Sequence, residues 1–396
     1  MGRARQEEVL SQKTPDILPT PVRVTVIIPT YQEAENLPEL FRRLAAVRER
    51  SLPAMDALVM DDDSGDGTPD VVAGLALPWV RLVTRKENRG LSPAVVDGFR
   101  LAGGEIIAVM DADLSHPPES LSDLVAAILA GADFAIGSRY VPGAGTAENW
   151  GWFRWLNSRV ATLLARPFTS VSDPMSGFFA FPRRILETGA PLNPIGYKIG
   201  LEVLVKCRCE RVVEVPIFFD QRHKGQSKLS FREQWRYLLH LRRLAMFKYD
   251  HLAHFLHFGL VGFLGTGVNL AVLTLLDWAG LPIRLSVALA ILTAMVFNYF
   301  LNRWITFTEG PKGAIPRQLA AFIAACSVGA VVNYGVTLSV IAAWPFAARF
   351  PQVASVLGIL AGLVFNYLAS RFWVFRYRKG PVPSGTPRSG VPGPPR

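Results

Sequence analysis

The sequence predicts an α/β domain, followed by an all-α domain that crosses a membrane with four helices. Up to about Asp250, apolar β-branched runs alternate with amphipathic stretches, which is the pattern of a sandwich built around a largely parallel sheet. Half of the residues in the whole chain are hydrophobic, but they are not spread evenly. Beyond Asp250, charged residues almost vanish over long spans. The change in composition therefore marks a boundary between two domains.

Short runs rich in branched apolar residues predict strands at 22–29, 56–60, 80–84, 105–110 and 132–138. Amphipathic stretches between these runs predict helices at 33–47, 91–102 and 117–130. Strands and helices that alternate at this pace form a doubly covered sheet, and ligands bind such sheets at the carboxyl ends of the strands. We therefore expect the functional residues to follow the predicted strands.

Composition divides the chain further. The α/β domain is expected at 21–229, amphipathic interfacial helices at 230–250 and the membrane domain at 251–378. A flexible polar lead at 1–20 and a disordered tail at 379–396 are expected at the two ends. The stretch 230–250 has aromatics and leucines on one side and arginines on the other. This amphipathic pattern is typical of a helix that lies on a membrane surface.

Long spans without Asp, Glu, Lys or Arg predict transmembrane helices at about 255–277, 283–305, 318–343 and 352–374. Arginines and lysines flank the loop between the second and third helices and follow the fourth, which places both termini and the first domain in the cytoplasm. The first 16 residues have no apolar stretch behind their charges, so no signal peptide is expected there.

The membrane region repeats itself, because 297–307 resembles 365–375 and the preceding helices also match. Asn298 and Arg303 take the places of Asn366 and Arg371 in the two copies. The pattern predicts a duplicated helix pair. A side-chain amide in a membrane helix usually hydrogen-bonds a neighbouring helix, and we expect this of both asparagines.

The formal net charge of +10 fits a phosphorylated substrate or anionic lipid. No nucleic-acid-binding module or basic stripe with interleaved aromatics is visible, so no nucleic-acid partner is expected.

Two carboxylates, Asp111 and Asp113, follow the fourth predicted strand with one residue between them. Both can reach one hard cation, Mg²⁺ or Mn²⁺, which would also bind phosphate oxygens of a ligand. His116 falls in a turn before Pro117.

Two further motifs follow earlier strands. The acidic run 60–68 follows the second strand, where its side chains can accept hydrogen bonds from a nucleotide or form a turn and helix cap. After the first strand, Tyr31 can stack on a base and Glu33 can bind ribose or base.

These motifs together resemble glycosyltransferase family 2, whose GT-A fold is a Rossmann-like α/β domain, and within it the polyprenyl-phosphate (dolichyl-phosphate) mannose synthases. The resemblance covers roughly 22–249 and rests on blocks such as IPTYQEAENLPELF, VMDDDSGDGT, VMDADLSHPPE, IGSRYVPG, DPMSGFFAF and NPIGYKIGLEVLVK. The four-helix region is similar to the GtrA-like membrane domain that some members carry behind the catalytic domain.

The resemblance implies a metal-dependent, inverting transfer of one mannose from GDP-mannose to a polyprenyl phosphate. Transfer from a UDP-sugar to undecaprenyl phosphate, and a subunit that translocates lipid-linked sugar, remain alternatives. No catalytic base is required, because a phosphate monoester with a second pKa of about 6 is already an anionic nucleophile at neutral pH.

The resemblance also implies roles for matching positions. The nucleotide pocket would be lined by Pro29, Tyr31, Glu33, Met60 and Asp62, with the backbone of Ala112 against the donor. The metal would be held by Asp111, Asp113 and Ser115, the last of which stands where archaeal members have Gln. Donor phosphates would be covered by Arg139, Lys198, Arg222 and Lys228, and the acceptor phosphate would be held by Arg139, Arg154 and Ser158.

Overall fold

The structure, a computed structural model, describes residues 22–146, 152–220, 231–308, 313–349 and 351–376. It divides into two compact units, the first ending at Lys248 and the second beginning at Tyr249. The predicted fold class is confirmed: a mixed, mainly parallel sheet covered by helices precedes a helical region with four helices long and apolar enough to span a membrane. The expected lead at 1–20 and tail at 379–396 lie outside the described residues.

The strands of the first unit are β1 (Val24–Thr30), β2 (Met55–Asp61), β3 (Val80–Thr84), β4 (Ile106–Val109), β5 (Phe134–Ser138), β6 (Gly145–Thr146), β7 (Phe179–Pro182), β8 (Val212–Pro216) and β9 (Phe218–Phe219). The main sheet has the order β3-β2-β1-β4-β7-β5-β8 in the described chain, and β6 pairs with β9 separately. Only β7 runs against its neighbours β4 and β5 among the described strand pairs. Consequently β1, β2, β4 and β5 end at one edge of the sheet, where β7 begins.

The helices of the first unit are α1 (Leu37–Arg50), α2 (Thr68–Gly74), α3 (Leu91–Leu101), α4 (Leu121–Leu129), α5 (Trp152–Ala165), α6 (Arg184–Thr188), α7 (Ile199–Lys206) and α8 (Phe231–Lys248). The sheet separates two cores. Val26 and Ile28 of β1 face the core with α1 and α4, whereas Ile27 faces the core with α3 and α7. Because successive side chains of a strand point to opposite faces, β1 is apolar at every position from 26 to 28.

The predicted amphipathic helix is α8. Leu241 and Leu244 pack on its inner side with apolar residues of α5 and α7. Trp235, which is 56% exposed, and Leu238 lie on the outside of the same helix. The helix therefore has an apolar surface directed away from the core of its own unit, as expected of an interfacial helix.

The second unit consists of α9 (Asp250–Trp278), α10 (Ile283–Leu301), α11 (Ile315–Ala343), α12 (Pro345–Arg349) and α13 (Pro351–Ala369). The π-helical segments Asn302–Thr306 and Ser370–Val374 extend α10 and α13. The four long helices coincide with the four predicted spans, and α9 pairs with α10 as α11 pairs with α13. This pairing matches the duplication inferred from the sequence.

Polar contacts join the two helix pairs near the end of the second helix of each pair. The guanidinium of Arg303 donates to Gln318 of α11, in the other copy. The guanidinium of Arg371 donates to Asp250 of α9 at 3.0 Å, again across the copies. Both arginines are buried. Their reciprocal contacts therefore connect the two helix pairs at equivalent places.

The expectation for the paired asparagines was wrong for their amide oxygens. The Oδ1 atoms of Asn298 and Asn366 are buried and have no hydrogen-bond partner among the described residues. Each asparagine instead packs directly against a glycine of its paired helix, Asn298 against Gly265 and Asn366 against Gly329. Close helix packing around a small residue, rather than an interhelical hydrogen bond, accounts for these positions.

Candidate active site

The loops after β1 and β2 lie side by side, because the two strands pair in parallel with Pro29 opposite Met60. Hydrogen bonds then tie the loops together. The backbone N–H of Gln32 donates to Ser64 Oγ at 3.0 Å, and that of Ala34 donates to Asp66 Oδ2 at 3.0 Å. The two loops predicted to bind the nucleotide are thus joined into one surface.

Asp66, which belongs to the acidic run 60–68, is central to this surface. Its Oδ1 accepts hydrogen bonds from the backbone and the hydroxyl of Thr68, at 3.1 and 2.7 Å, at the start of α2. Desolvation raises the pKa of Asp66, but the hydrogen bonds from Ala34 and Thr68 favour the carboxylate and leave the pKa below its ordinary value. Asp66 is therefore ionised at neutral pH, and its negative charge lies next to the N-terminus of α2.

The predicted pocket residues differ in how they are presented. Tyr31 is 45% exposed, so its ring is accessible for stacking on a base. Glu33 is half-buried, and its carboxylate accepts a hydrogen bond from Asn36 at 2.6 Å. Met60 is fully buried in the core, so only its backbone is placed to meet a ligand.

Asp62 is enclosed by the protein. One carboxylate oxygen accepts from the guanidinium of Arg85 and the other from the backbone N–H of Gly90 at 2.5 Å. Arg85 is itself buried and also pairs with Asp97 at 2.9 Å. No local sequence pattern singled out Arg85. Asp62 therefore holds the segment that ends at Gly90, and its contact with a nucleotide remains a prediction.

The two carboxylates after β4 have different surroundings. The side chain of Asp111 is 27% exposed, whereas Asp113 is only 5% exposed. The backbone N–H and the hydroxyl of Ser115 both donate to Asp113 Oδ1, at 3.1 and 2.5 Å. Ala112 between them is buried. Ser115 thus orients Asp113 in this structure.

His116 packs directly behind the carboxylate pair, which its assignment to a turn did not reveal. Its Nδ1 accepts a hydrogen bond from the backbone N–H of Asp111 at 3.2 Å, and its ring stacks on Phe178 with centroids 5.3 Å apart. Burial lowers the pKa of His116, more than the nearby carboxylates raise it. A neutral imidazole therefore supports the backbone of Asp111.

Arg139 follows β5 and reaches the same edge of the sheet. Its Nε and Nη2 donate to the two oxygens of Asp173 at 2.6 and 2.8 Å, and its backbone N–H also donates to Asp173. Burial lowers the pKa of Arg139, but the hydrogen bonds and charge of Asp173 raise it above its ordinary value. Asp173, which is fully buried, thus fixes a permanent positive charge at the site.

Gly177 brings the strand start of β7 against the carboxylates. A Cβ atom at this position would lie 3.3 Å from Asp111 Oδ2 and 3.4 Å from His116 Cε1. The backbone N–H of Asp220, after β9, donates to the carbonyl of Ser115 at 3.2 Å. Segments next to β4, β5, β7 and β9 therefore meet around Asp111.

Tyr140 links two residues that were predicted to bind the acceptor phosphate. Its hydroxyl donates to Ser158 Oγ of α5 at 2.8 Å, while the guanidinium of Arg139 lies 5.5 Å from its ring centroid. A further arginine, Arg159, lies 4.6 Å from the same ring. Neither Tyr140 nor Arg159 was assigned a role from the sequence. The side chain of Arg154 lies outside the described residues, as do Arg222 and Lys228.

Lys198 immediately precedes α7 and lies near this group. Its Nζ donates to the carbonyl of Met175 at 3.2 Å. Met175 belongs to the short segment between Asp173 and Gly177. The lysine predicted to cover the donor phosphates is therefore connected to the segment that contacts both Arg139 and Asp111.

The residues at this edge fit a divalent cation whose ligands come partly from the protein and partly from a substrate. Within the described ranges, no group of three or more His, Cys, Asp or Glu residues could hold a metal ion. Mg²⁺ and similar hard cations are commonly bound by one or two carboxylates, with waters and substrate phosphates completing the shell. Asp111 and Asp113 provide that number of oxygen ligands, so a diphosphate would complete the site.

Comparison with known proteins identifies families that match the two units of the chain. Residues 25–189 match the family described as glycosyl transferase family 2, and residues 257–378 match the GtrA/DPMS transmembrane domain. A dolichol-phosphate mannosyltransferase of Pyrococcus furiosus is 38% identical over 357 residues, covering 88% of this chain and 98% of the relative.

Two other relatives match a shorter part of the chain. A dolichol-phosphate mannosyltransferase of Saccharomyces cerevisiae is 40% identical, covering 58% of this chain and 89% of the relative. A polyprenol monophosphomannose synthase of Mycolicibacterium smegmatis is 40% identical, covering 52% of this chain and 81% of the relative.

A GT-A-like sheet with carboxylates and an arginine at its ligand-binding edge, ahead of apolar helices, defines a membrane-bound glycosyltransferase. Within that class, the chain belongs to the dolichol-phosphate mannosyltransferase family, in the form that carries a GtrA-type membrane domain.

Proposed function

We propose that this enzyme transfers a single mannose from GDP-mannose to the phosphate of a dolichyl-type polyprenyl lipid, with inversion at the anomeric carbon. The product would be a polyprenyl phosphate mannose that serves later glycosylation. The observation that carries the proposal is the match over 98% of the Pyrococcus furiosus enzyme, which extends through both units of this chain. The names of the three relatives supply the mannose and the lipid phosphate.

The nucleotide would bind on the joined loops after β1 and β2. The exposed ring of Tyr31 would stack on the base, and Glu33 would accept hydrogen bonds from base or ribose. Pro29 and the backbone of Met60 would border the pocket, with Asp62 holding its far side through Arg85. Hydrogen bonds within the protein already orient Glu33 and Asp62, which would lower the cost of binding.

The donor diphosphate would lie at the carboxylates after β4, near the backbone of Ala112. Asp111 and Asp113 would hold Mg²⁺ or Mn²⁺, whose charge would offset that of the leaving nucleoside diphosphate. Ser115, predicted as a third ligand, would act mainly by orienting Asp113. Lys198, with Arg222 and Lys228, would place positive charge over the same phosphates.

The acceptor phosphate would be oriented by Arg139 and Ser158, together with Arg154. The guanidinium of Arg139 donates to Asp173, and the hydroxyl of Tyr140 donates to that of Ser158. The lipid phosphate is already anionic, so these residues need to align it with the anomeric carbon rather than remove a proton. In-line attack from the side opposite the leaving group would invert the configuration.

The membrane domain would hold the catalytic domain and both termini on the cytoplasmic side. The distribution of basic residues around the spans supports this orientation. The exposed apolar side of α8 would lie at the bilayer surface, where the phosphate of a long polyprenyl chain is located.

The direct test uses the full-length protein in detergent with Mg²⁺ or Mn²⁺, a short polyprenyl phosphate, and radiolabelled GDP-mannose or UDP-glucose in parallel. We expect label in the organic phase from GDP-mannose, loss of that label with Asp113→Asn, and its retention with Asp70→Asn, an exposed aspartate of α2. Product from UDP-glucose alone would overturn the sugar assignment. No product from either donor, with folded protein, would overturn the assignment of GDP-mannose as donor and would favour another donor or translocation.

A further inference from the structure

The loop that precedes Lys198 is tied to α8 by two hydrogen bonds. The backbone N–H of Ile195 donates to His240 Nδ1 at 3.3 Å, and Arg243 donates to the carbonyl of Asn193 at 2.6 Å. Both contacts come from α8, more than 40 positions away along the chain, with separations of 45 and 50 residues. The path of the loop therefore depends on where α8 lies.

A buried polar cluster fixes the start of this loop. Glu202 is fully buried and pairs with Lys206 at 2.7 Å. The backbone N–H of Asn193 donates to Glu202 at 2.6 Å, and Lys206 donates to the carbonyl of Pro191 at 2.9 Å. His240 is also fully buried beside Glu202. Buried charges are tolerated only when they are paired and hydrogen-bonded, so the cluster holds Asn193 in a single arrangement.

The end of the loop is fixed at the candidate active site. The Nζ of Lys198 donates to the carbonyl of Met175. Met175 lies between Asp173, which accepts hydrogen bonds from Arg139, and Gly177, which lies close to Asp111. The described contacts therefore run from α8, through the loop, to the edge of the sheet where the donor phosphates are expected.

The opposite side of α8 carries the apolar residues that face away from the protein. Trp235, Leu238 and Leu239 are exposed, whereas His240 and the neighbouring Leu241 are buried. One helix thus has an exposed apolar side and another side that holds the loop of Lys198. This arrangement makes the position of the loop sensitive to the position of the interfacial helix.

On the basis of the proposed function, we propose that His240 is a positioning residue of the donor site, which holds the loop that sets Lys198 against the donor phosphates. His240 does not reach the phosphates; it acts through Ile195 and Lys198. Burial lowers the pKa of His240 to about 4, although Glu202 raises it, so the imidazole is neutral at pH 7 and its Nδ1 can accept the hydrogen bond.

The test measures binding of GDP with Mg²⁺ to the full-length protein by calorimetry, which does not require turnover. We expect His240→Leu to weaken GDP binding about fivefold, which is the change in Kd that loss of one hydrogen bond usually causes. His240→Asn, whose Oδ1 can replace Nδ1 as acceptor, should bind within about twofold of the unsubstituted protein. Arg243→Ala, a change at an exposed side chain, should weaken binding in the same direction.

A double-mutant cycle separates positioning from general damage. In the background of Lys198→Ala, His240→Leu should have no further effect on GDP binding, because its influence passes through Lys198. Three results would each overturn the proposal: equal effects in both backgrounds, an unchanged affinity for GDP in His240→Leu, or binding of GDP by His240→Asn as weak as by His240→Leu. The transfer assay reports on the proposed function separately, so its failure and the failure of this inference are distinguishable.

Discussion

At the scale of single residues, Asp173 decides how Arg139 is presented. The carboxylate is fully buried and accepts three hydrogen bonds from Arg139, two of them from the guanidinium. A bidentate arginine pair of this kind is both strong and directional. Removal of Asp173 leaves a mostly buried guanidinium without that partner, and Arg139, which is proposed to bind phosphate, would then lose its fixed orientation.

We expect Asp173→Ala to lower the free energy of unfolding by about 3 kcal/mol, the usual cost of breaking a buried pair from one side. Product formation should fall at least about tenfold. Denaturant unfolding and the transfer assay measure the two effects. The matched control is Glu119→Ala, which breaks a more exposed pair with Arg43 and should cost at most about 1 kcal/mol. Equal losses from both substitutions would contradict this account of Asp173.

Tyr140 should matter for the lipid acceptor rather than for the donor. Tyr140→Phe keeps the ring next to Arg139 and Arg159 but removes the hydrogen bond to Ser158. We expect the KM for polyprenyl phosphate to rise about fivefold, corresponding to one hydrogen bond, with the KM for GDP-mannose unchanged. Steady-state kinetics with each substrate varied in turn measures both values. A rise confined to the KM for GDP-mannose would assign Tyr140 to the donor side instead.

The sequence revealed site residues that stand in a local pattern and missed those defined by distant partners. Asp111 and Asp113 were found because they directly follow an apolar strand. Asp173 was missed because its partner, Arg139, is 34 positions away, and Tyr140 because Ser158 is 18 positions away. Only the fold brings these pairs together, so no local spacing could have indicated them.

At the scale of helices and strands, most strands of the sheet were predicted from their apolar runs. The predicted strands at 22–29 and 132–138 correspond to β1 and β5. Although β4, with four apolar residues, was also predicted, β7 of the same length was not. Its antiparallel direction depends on tertiary contacts with β4 and β5 rather than on its own residues. A signal of that kind is absent from the sequence of β7 itself.

Glycines in the membrane helices provide a test of helix packing. A Cβ atom at Gly329 of α11 would overlap the side chain of Asn366 of α13, whereas a Cβ atom at Gly335 would meet nothing within 4 Å. Overpacking typically costs about 1–3 kcal/mol, and Ala is otherwise the better helix former. We therefore expect Gly329→Ala to lower the Tm of the full-length protein in detergent, and Gly335→Ala to leave it unchanged or slightly higher.

The second copy allows the same comparison, because Gly265 of α9 contacts Asn298 while Gly262 has open space. Gly265→Ala should behave like Gly329→Ala, and Gly262→Ala should behave like Gly335→Ala. Tryptophan fluorescence during heating measures each Tm. If substitutions at the open positions lowered the Tm as much as those at the packed positions, close contact with the asparagines would not explain the glycines.

At the scale of the whole molecule, each unit has its own core and its own apolar surface. The second unit exposes large side chains along its helices, including Phe263 of α9 and Val331 of α11. In water such a surface would be unfavourable, but it is the expected exterior of helices in lipid.

The orientation of the chain in the membrane can be tested with two single cysteines. Ala279 follows α9 and Ala314 precedes α11, and both are exposed. With Cys207, Cys209 and Cys326 replaced by Ser, we expect a membrane-impermeant maleimide to label Ala279→Cys from outside intact cells and Ala314→Cys only in inverted vesicles, because the basic residues favour the cytoplasmic side. Transfer activity in both variants would show that labelling reports on folded protein. Labelling of Ala314→Cys from outside would reverse the proposed orientation and place the first unit, with its nucleotide-binding edge, on the side away from the cytoplasm.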